Sequence, residues 1–295
     1  MVLSVMQHAA YYDTAWRFAK SRGIPLVVIV HDVNEQFEPV LPIAVAAMRR
    51  RDGKFYRFAS KRLCVSPQME RLCAELYDVG GDVMYPNRSE ELMPRPIEAS
   101  AKLRSHGRLT VGFVGNPNYG YGDELLRLLP AFRSSCARII LFGHPPAGAC
   151  RPLLDAADCV DFRGFRPAME AWRAVQEECD AVILPYPNPA GRMERLYRHH
   201  FPSKLTEYLG LGMPVIVTGP EYCAGVSWAS RWPDSALVWS GSDPKELGVE
   251  LARLRDQAER RVALAKGALT SGNAEFDPNR IKEEFLRHLL DASAS

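Results

Sequence analysis

The stretch Phe201-Pro-Ser-Lys-Leu-Thr-Glu-Tyr-Leu-Gly-Leu-Gly-Met-Pro-Val-Ile-Val217 decides the fold. Pro202 suits the first turn of a helix, where its missing N–H is harmless. Gly212 suits the position just after the last helical turn. The apolar run that follows Pro214 is short and continuous, as in a strand buried on both faces of a parallel sheet. The stretch therefore predicts a helix over 202–211 that leads into a strand over 214–218.

Two charged residues of this stretch lie on one face of the predicted helix. Lys204 and Glu207 are three positions apart, near the helix N-terminus. A cation beside free backbone N–H groups can hold a diphosphate, and a carboxylate one turn further can accept two hydroxyl hydrogen bonds, as from a ribose. The alternative is a surface ion pair worth about 0–1 kcal/mol. The residues alone leave both interpretations open.

Outward from this stretch, short apolar runs alternate with amphipathic segments along all 295 residues. The predicted strands are 25–31, 62–66, 82–85, 109–115, 138–142, 159–162, 181–185, 214–218 and 236–239. The predicted helices are 4–21, 39–59, 67–78, 123–133, 148–157, 167–178, 202–211, 243–267 and 278–291. Such alternation predicts an α/β protein with doubly wound sheets. Residues 86–107 carry three prolines without a clear period, which is typical of a linker.

Composition excludes several classes of protein. The formal charge is +2, from 37 basic and 35 acidic residues, so the overall charge gives no argument for nucleic-acid binding and leaves only a local basic patch open. The seven cysteines are scattered without a CxxC pair, which favours reduced thiols over a disulfide framework or a zinc site. No apolar run approaches the roughly 20 residues that span a bilayer, and no secretory signal is present. We expect a cytoplasmic protein, with peripheral contact at the inner membrane face left open.

A glycine-rich loop, Gly115-Asn-Pro-Asn-Tyr-Gly-Tyr-Gly122, lies between a predicted strand and a predicted helix. Loops of this kind receive phosphate-bearing ligands in doubly wound sheets. Tyr121-Gly122 stands where a P-loop needs Lys-Ser/Thr, and the spacing does not match GxGxxG. The loop therefore predicts neither a triphosphate site nor a dinucleotide site. A loop that only shapes a turn is an equal alternative.

In combination, Asp180-Ala-Val-Ile-Leu-Pro-Tyr186 and Phe201–Val217 resemble the donor-site signature of GT-B glycosyltransferases. The resemblance is to the retaining "group 1", family 4-like enzymes, and it continues through Ile139–Gly143 and Val160–Phe165. It covers about residues 108–240. It implies a GT-B-like α/β fold with two Rossmann-like doubly wound domains, of which the N-terminal one is incomplete here.

The resemblance also implies a site that holds a nucleotide-diphosphate sugar. Glu207 would bind the donor ribose, Lys204 and the backbone around it the diphosphate, and the turn at Gly164 the base. The implied donor-binding residues are Gly115, Asn116, Gly164, Phe165, His199, Ser203, Lys204, Leu205 and Glu207. Lys204 and His31 are the implied catalytic residues, with no metal site and no cofactor besides the donor.

The sequence departs from the family pattern at two points. His199 stands where the first glutamate of the E-x7-E pattern would fall, eight positions before Glu207. The loop after Gly115 also lacks the family's arginine and lysine. Arg192, Arg195 and Arg198 could supply that charge, or they could be solvated surface residues.

The first part of the chain contains the strand Ile24–Val30, which ends in His31-Asp32. Residues at the carboxyl ends of such strands face the ligand crevice, and family members carry a histidine here that faces the donor sugar. Asp32 either orients His31 or caps the next turn. Only three strands are predicted before residue 88, fewer than the six or seven of a GT-B N-terminal domain. That domain is reduced, begins upstream of Met1, or is completed by another chain.

These features predict a truncated acceptor-side domain over 1–88, a linker over 89–107 and a donor-binding domain over 108–275. The terminal segment 276–295 is predicted as a helix that either crosses to the N-terminal domain or packs on its own. The predicted function is a hexosyltransferase of polysaccharide biosynthesis that uses a nucleotide sugar and an unidentified acceptor, is retaining and needs no metal. The alternative is a catalytically degenerate nucleotide-sugar-binding subunit. A homo-oligomer or a second subunit is a further expectation, and nucleic acid is not an expected partner.

Overall fold

The computed structural model describes residues 1–32, 42–105, 107–188 and 192–294, except the side chains of Pro42, Arg192 and Met193. The described chain divides into two compact units. Unit 1 comprises 1–87, 189–201 and 276–295, and unit 2 comprises 88–188 and 202–275. Each unit is built on its own parallel sheet. The sequence-based division at residue 88 did not group residues 189–201 with the first segment.

Unit 1 has a four-stranded sheet in the order β1-β2-β3-β4. Its strands are β1 Val2–Val5, β2 Leu26–Val30, β3 Lys61–Cys64 and β4 Asp82–Val83. Its helices are α1 Ala9–Arg22, α2 Pro42–Phe58, α3 Pro67–Tyr77, α6 Arg192–His199 and α11 Pro278–Ala294. The last of these packs on β2 and β3, where Phe285, Leu289 and Ala292 contact Val27 and Leu63.

The first strand corrects the prediction of a helix over 4–21. Val2–Val5 pairs in parallel with Leu26–Ile29, and the helix begins only at Ala9. The segment holds two valines and a leucine, which suit a strand. Its four residues are too few for a period of two to be distinguished from the start of the following helix.

Unit 2 has a six-stranded sheet in the order β10-β9-β8-β5-β6-β7. Its strands are β5 Leu109–Val114, β6 Ala137–Phe142, β7 Val160–Gly164, β8 Ala181–Pro185, β9 Val215–Thr218 and β10 Leu237–Trp239. Its helices are α4 Tyr121–Ser134, α5 Ala168–Glu178, α7 Ser203–Gly210, α8 Ala224–Arg231, α9 Pro244–Asp256 and α10 Ala258–Phe276. All residues of β5, β8 and β9 are buried, as the continuous apolar runs predict.

Unit 2 departs from the predicted elements in three places. The helix expected over 243–267 is two helices, α9 and α10, which meet at Gln257. Helix α8 was not predicted, because Ala-Gly-Val-Ser-Trp-Ala-Ser-Arg carries no clear apolar stripe. The 148–157 segment is a 3-10 helix, Gly148–Asp155, with Pro152 inside it.

The proline-containing segment after residue 88 packs against unit 2 over much of its length. Arg95 is buried, and its guanidinium donates to the Cys179 carbonyl at 2.8 Å and to Ser100 Oγ at 3.0 Å. A 3-10 helix follows at Ile97–Ala101. Because a buried guanidinium needs several acceptors, the fixed carbonyls of unit 2 hold this segment in place.

Candidate functional site

The carboxyl ends of three neighbouring strands of unit 2 are linked by backbone hydrogen bonds. Gly115 N–H, just after β5, donates to Phe142 O of β6 at 2.8 Å. Gly143 N–H, just after β6, donates to Gly164 O of β7 at 2.9 Å. Gly143 has φ +146°, and a Cβ placed there would overlap Gly115 O. Glycine is therefore needed at Gly143 for both conformation and space.

The first turn of α7 lies against the loop that follows β5. The buried Tyr208 hydroxyl accepts the Val114 N–H at 3.0 Å, which ties the helix to the end of the strand. Gly115 has φ +134°, and a Cβ there would overlap Lys204 Cε. The sequence-predicted pair Gly115 and Lys204 is thus brought into direct contact, although 89 positions separate them.

The Lys204 ammonium lies over two aromatic rings, 4.4 Å from the Tyr121 centroid and 5.6 Å from the Phe113 centroid. Burial lowers the pKa of Lys204 to about 8, since the charged form loses hydration. Within the described part of the chain, no carboxylate forms an ion pair with this ammonium. A half-buried cation held only by ring faces can bind an anion without first giving up a counter-ion.

The start of α7 leaves backbone donors near this cation. Pro202 precedes the helix, and no side chain caps its N-terminus. Ser203 is exposed at the first helical position. Leu205 N–H instead donates to Pro202 O at 3.0 Å, and the Leu205 side chain is buried. The available donors therefore lie at Ser203 and Lys204.

Glu207, the residue expected to meet the ribose, lies one turn further along α7. Both of its carboxylate oxygens accept the Ser89 N–H, at 3.1 and 3.2 Å. Burial raises the pKa of Glu207, while the Ser89 N–H opposes that rise. Two oxygens that share one donor keep most of their accepting capacity.

The other expected residues of unit 2 lie on loops at the same sheet edge. Asn116 Oδ1 accepts the Asn118 N–H at 3.0 Å, which closes a turn after Gly115. Gly164 has φ +76°, and the following Phe165 ring is 69% exposed. This ring lies 5.5 Å from the His144 ring, centroid to centroid. The two rings form an exposed aromatic pair beside the ends of β6 and β7.

The two histidines of the expected site belong to unit 1. His31 is exposed just after β2. Asp32 Oδ1 lies 3.1 Å from His200 Nδ1, and the turn that Asp32 was expected to cap lies outside the described residues. His199 Nδ1 lies 2.8 Å from the Arg195 carbonyl, and its own carbonyl accepts the Ser66 hydroxyl at 3.0 Å. Burial lowers the pKa of His199.

The arginines named as possible cations are Arg192, Arg195 and Arg198. They lie on α6, within unit 1. Arg198 pairs with Glu194 at 2.6 Å, and the Arg192 side chain lies outside the described residues.

Three residues of the site were not predicted from sequence. Tyr121 was singled out only as a departure from the P-loop, although an aromatic residue directly after Gly120 is a usable signal. Tyr208 lies in the predicted helix over 202–211, but nothing in the sequence indicated that its hydroxyl would accept the Val114 N–H at the end of β5. Ser89 carries no signal, because its bond to Glu207 spans 118 positions.

The described residues contain neither a cluster of metal ligands nor a membrane-spanning helix. No group of three or more His, Cys, Asp or Glu side chains is placed to hold a metal ion. No described helix is long and apolar enough to cross a membrane.

Comparison with solved structures identifies the fold. HepE of Anabaena, solved with UDP and glucose, matches at a TM-score of 0.71 and 16% identity, over 97% of this chain and 77% of HepE. Sucrose-phosphate synthase of Thermosynechococcus elongatus matches at a TM-score of 0.71 and 16% identity, over 99% and 74%. WaaG, a glycosyltransferase involved in lipopolysaccharide biosynthesis, matches at a TM-score of 0.61 and 14% identity, over 94% and 81%.

This chain has the GT-B fold. The fold expected from the resemblance is thereby confirmed. The chain spans 74–81% of the length of these three structures. No protein-family model matches the sequence, and no curated protein matches it.

Proposed function

We propose that this chain is a glycosyltransferase that binds a nucleotide-diphosphate sugar in unit 2 and transfers the sugar to an acceptor. The observation that carries the proposal is the Lys204 ammonium, which lies beside Gly115 at the start of α7 and has no carboxylate partner among the described residues. A diphosphate leaving group gains negative charge as the glycosidic bond breaks. A fixed cation and oriented N–H groups stabilise that charge without reorganisation.

The other parts of the nucleotide sugar are assigned to neighbouring loops. Glu207 receives the ribose hydroxyls, and the exposed Phe165 with the Gly164 turn receives the base. HepE, a structure with the same fold, was solved with UDP-glucose. We take a UDP-hexose as the first donor to test. Transfer with retention, independence from metal ions and from any further cofactor, and a role in polysaccharide synthesis are parts of the proposal that come from the resemblance.

Calorimetry with UDP, GDP, ADP and TDP and their sugar derivatives tests the proposal. We expect one nucleoside diphosphate to bind, and Lys204→Met to weaken it about 100-fold, the order expected for a lost charge-assisted contact. Lys245→Met is the matched control, because Lys245 is an exposed lysine of the same unit. Equal binding by wild type and Lys204→Met would refute the assignment. Product NMR and a chelator then test retention and metal independence.

The alternative is a binding subunit that holds the donor without turnover. It is favoured by one observation, that His199 replaces the family glutamate and belongs to unit 1 rather than to the unit of Glu207. Sugar release or transfer by purified protein, lost in Lys204→Met, supports the enzyme. Tight donor binding with neither reaction, in the presence of an acceptor mixture, supports the binding subunit.

A further inference from the structure

Asp32 and His200 form a half-buried pair at the carboxyl edge of the unit 1 sheet. Asp32 lies two positions after β2, and His200 directly follows α6. Asp32 Oδ1 and His200 Nδ1 are 3.1 Å apart. The Asp32 side chain is 15% exposed and the His200 side chain is 31% exposed, so the histidine is the more accessible member. Ligands of open parallel sheets bind outside the carboxyl ends of the strands, which is where this pair lies.

The backbone on both sides of His200 is held by residues that follow two other strands. The carbonyl of the preceding residue, His199, accepts the Ser66 hydroxyl at 3.0 Å. The ring of the following residue, Phe201, is buried and lies 4.8 Å from the Tyr85 ring, centroid to centroid. Ser66 stands two positions after β3, and Tyr85 two positions after β4. The imidazole is therefore fixed at this edge, as a reacting group requires.

The contact with Asp32 determines which nitrogen of His200 can receive a proton. A carboxylate oxygen only accepts hydrogen bonds, so the Nδ1 atom beside it carries the hydrogen. In the neutral ring, Nε2 then keeps its lone pair. No residue in the described part of the chain forms a hydrogen bond with Nε2. The negative charge of Asp32 also stabilises the imidazolium that forms when Nε2 takes up a proton.

The neighbouring His31 does not compete with His200 for the charge of Asp32. His31 keeps exposed surface, but its partial burial lowers its pKa, the Asp32 charge opposes that fall, and the proximity of His200 adds to it. A histidine with a lowered pKa is neutral at pH 7. The carboxylate of Asp32 therefore acts on His200, to which it is hydrogen-bonded.

We propose that His200, positioned by Asp32, is the base that activates the acceptor hydroxyl in the transfer reaction, an inference that rests on the proposed function. The acceptor oxygen bonds to the anomeric carbon while the bond from that carbon to the diphosphate breaks. The hydroxyl proton passes to His200 Nε2, and the nucleoside diphosphate leaves with the electron pair of the broken bond. The proton must be removed whichever face of the sugar is attacked, so the assignment does not depend on retention.

The competing assignment gives that proton to an oxygen of the departing diphosphate, and no side chain then has to accept it. An acceptor without a proton separates the two assignments, because its attack needs no base. Azide ion is such an acceptor. Its terminal nitrogen bonds to the anomeric carbon and the diphosphate leaves, with no proton transferred. Water is the matching acceptor that does lose a proton.

Purified protein with UDP-glucose, and with water or azide as acceptor, tests the proposal. We expect His200→Gln to lower glucose release to water about 100-fold, within the usual contribution of a general base, and to leave glucosyl azide formation within twofold of wild type. Asp32→Asn should lower release to water at least tenfold, because it keeps an oxygen for Nδ1–H but loses the charge that stabilises the imidazolium. His288→Gln is the matched control and should change neither rate, since His288 Nε2 also lies near a carboxylate, 3.9 Å from Glu284 Oε1 on α11.

Calorimetry with UDP distinguishes failure of the base assignment from failure of the proposed function. All three variants should bind UDP within twofold of wild type, because the proposal gives none of these residues a role in holding the nucleotide. Wild-type protein that binds no nucleoside diphosphate overturns the proposed function. Equal release to water by wild type and His200→Gln, or equal losses with water and with azide, overturns the base assignment alone. Wild-type protein that binds the donor but releases no sugar to water also overturns it. Circular dichroism verifies that the variants fold.

Discussion

The two parallel sheets of this chain differ in the side chains beside them that are incompletely buried, a charged one in unit 2 and apolar ones in unit 1. In unit 2 the central strands are buried throughout. At the carboxyl edge of this sheet, the Lys204 ammonium forms no ion pair with a described carboxylate. In unit 1 Asp32, just after β2, has His200 as a partner, and the exposed side chains include the apolar Leu3 and Val5 of β1. A half-buried cation with no carboxylate partner among the described residues is suited to an anionic ligand, whereas apolar side chains that are half exposed contribute little burial to the fold.

The largest effect should come from removing the charge of Lys204 in the unliganded protein. A pKa of about 8, against an ordinary 10.5, means that folding disfavours the charged form by up to about 3 kcal/mol. This cost is fully present below pH 8 and disappears as pH rises from 8 to 10.5, because only the unfolded chain then stays protonated. We expect Lys204→Met to raise the free energy of unfolding by about 1–3 kcal/mol at pH 7.

Urea denaturation at pH 7 and pH 10 measures this, with Lys245→Met as the neutral control. The gain in the free energy of unfolding of Lys204→Met over wild type should be smaller at pH 10 than at pH 7. A Lys204→Met protein that is less stable than wild type at pH 7 would mean that the ammonium contributes to the unliganded fold and is not held ready for an anion.

A somewhat smaller effect should follow from Gly115→Ala. Its φ of +134° disfavours any side chain, and the new Cβ would displace Lys204 Cε. Strain of about 1–3 kcal/mol and a misplaced ammonium should together weaken nucleoside diphosphate binding at least tenfold. Calorimetry measures the affinity. Gly148→Ala is the control, because Gly148 also has positive φ but nothing lies within 4 Å of its Cβ position. Equal losses in both variants would assign the effect to backbone strain alone.

The affinity for a nucleoside diphosphate should fall about tenfold between pH 7 and pH 9.5. Above pH 8 the free Lys204 loses its proton, and binding must then take up a proton at a rising free-energy cost. The terminal phosphate of the diphosphate has a second pKa of about 6, so it only gains negative charge between pH 7 and pH 9.5 and does not cause the fall in affinity. The slope should vanish in Lys204→Met. Calorimetry in two buffers of different ionisation enthalpy counts the protons, and a pH-independent affinity in wild type would contradict the assignment.

Replacing Glu207 should weaken nucleotide binding several-fold and distinguish its role from that of Lys204. Glu207→Gln keeps an oxygen for the Ser89 N–H but loses charge and one acceptor for the ribose. We expect UDP to bind about fivefold more weakly and inorganic pyrophosphate to bind unchanged, at roughly 1 kcal/mol per lost hydrogen bond. If both ligands weaken equally, Glu207 acts on the diphosphate site through the fold and does not contact the ribose.

The sequence predicted the parts of the molecule that local patterns encode. The strands of unit 2 were predicted because each is a buried apolar run between turn residues. Gly115 and Lys204 were each expected at the donor site from the resemblance, but neither their direct approach nor the aromatic rings under the ammonium were predicted. The bond between Ser89 and Glu207 has no local signature, because only the packed segment after residue 88 creates it.

Unit 1 was less predictable for a physical reason. A short edge strand such as β1 pairs on one side only, so its burial alternates and its four residues resemble the first turn of a helix. The exposure of the Leu3 side chain became evident only when the strand register and the position of α11 were known. Sequence patterns report what a segment needs to bury, and the folded chain shows what remains exposed.

The smallest effect should come from Leu3→Ala. A leucine that is 48% exposed gives up little burial when truncated, so we expect a loss of less than about 1 kcal/mol in the free energy of unfolding. Leu63→Ala, on the same sheet face but fully buried, should cost about 2–5 kcal/mol. Urea denaturation of the purified chain compares them. Similar costs for both would mean that β1 is already covered, and the contrast between the two sheets would then be wrong.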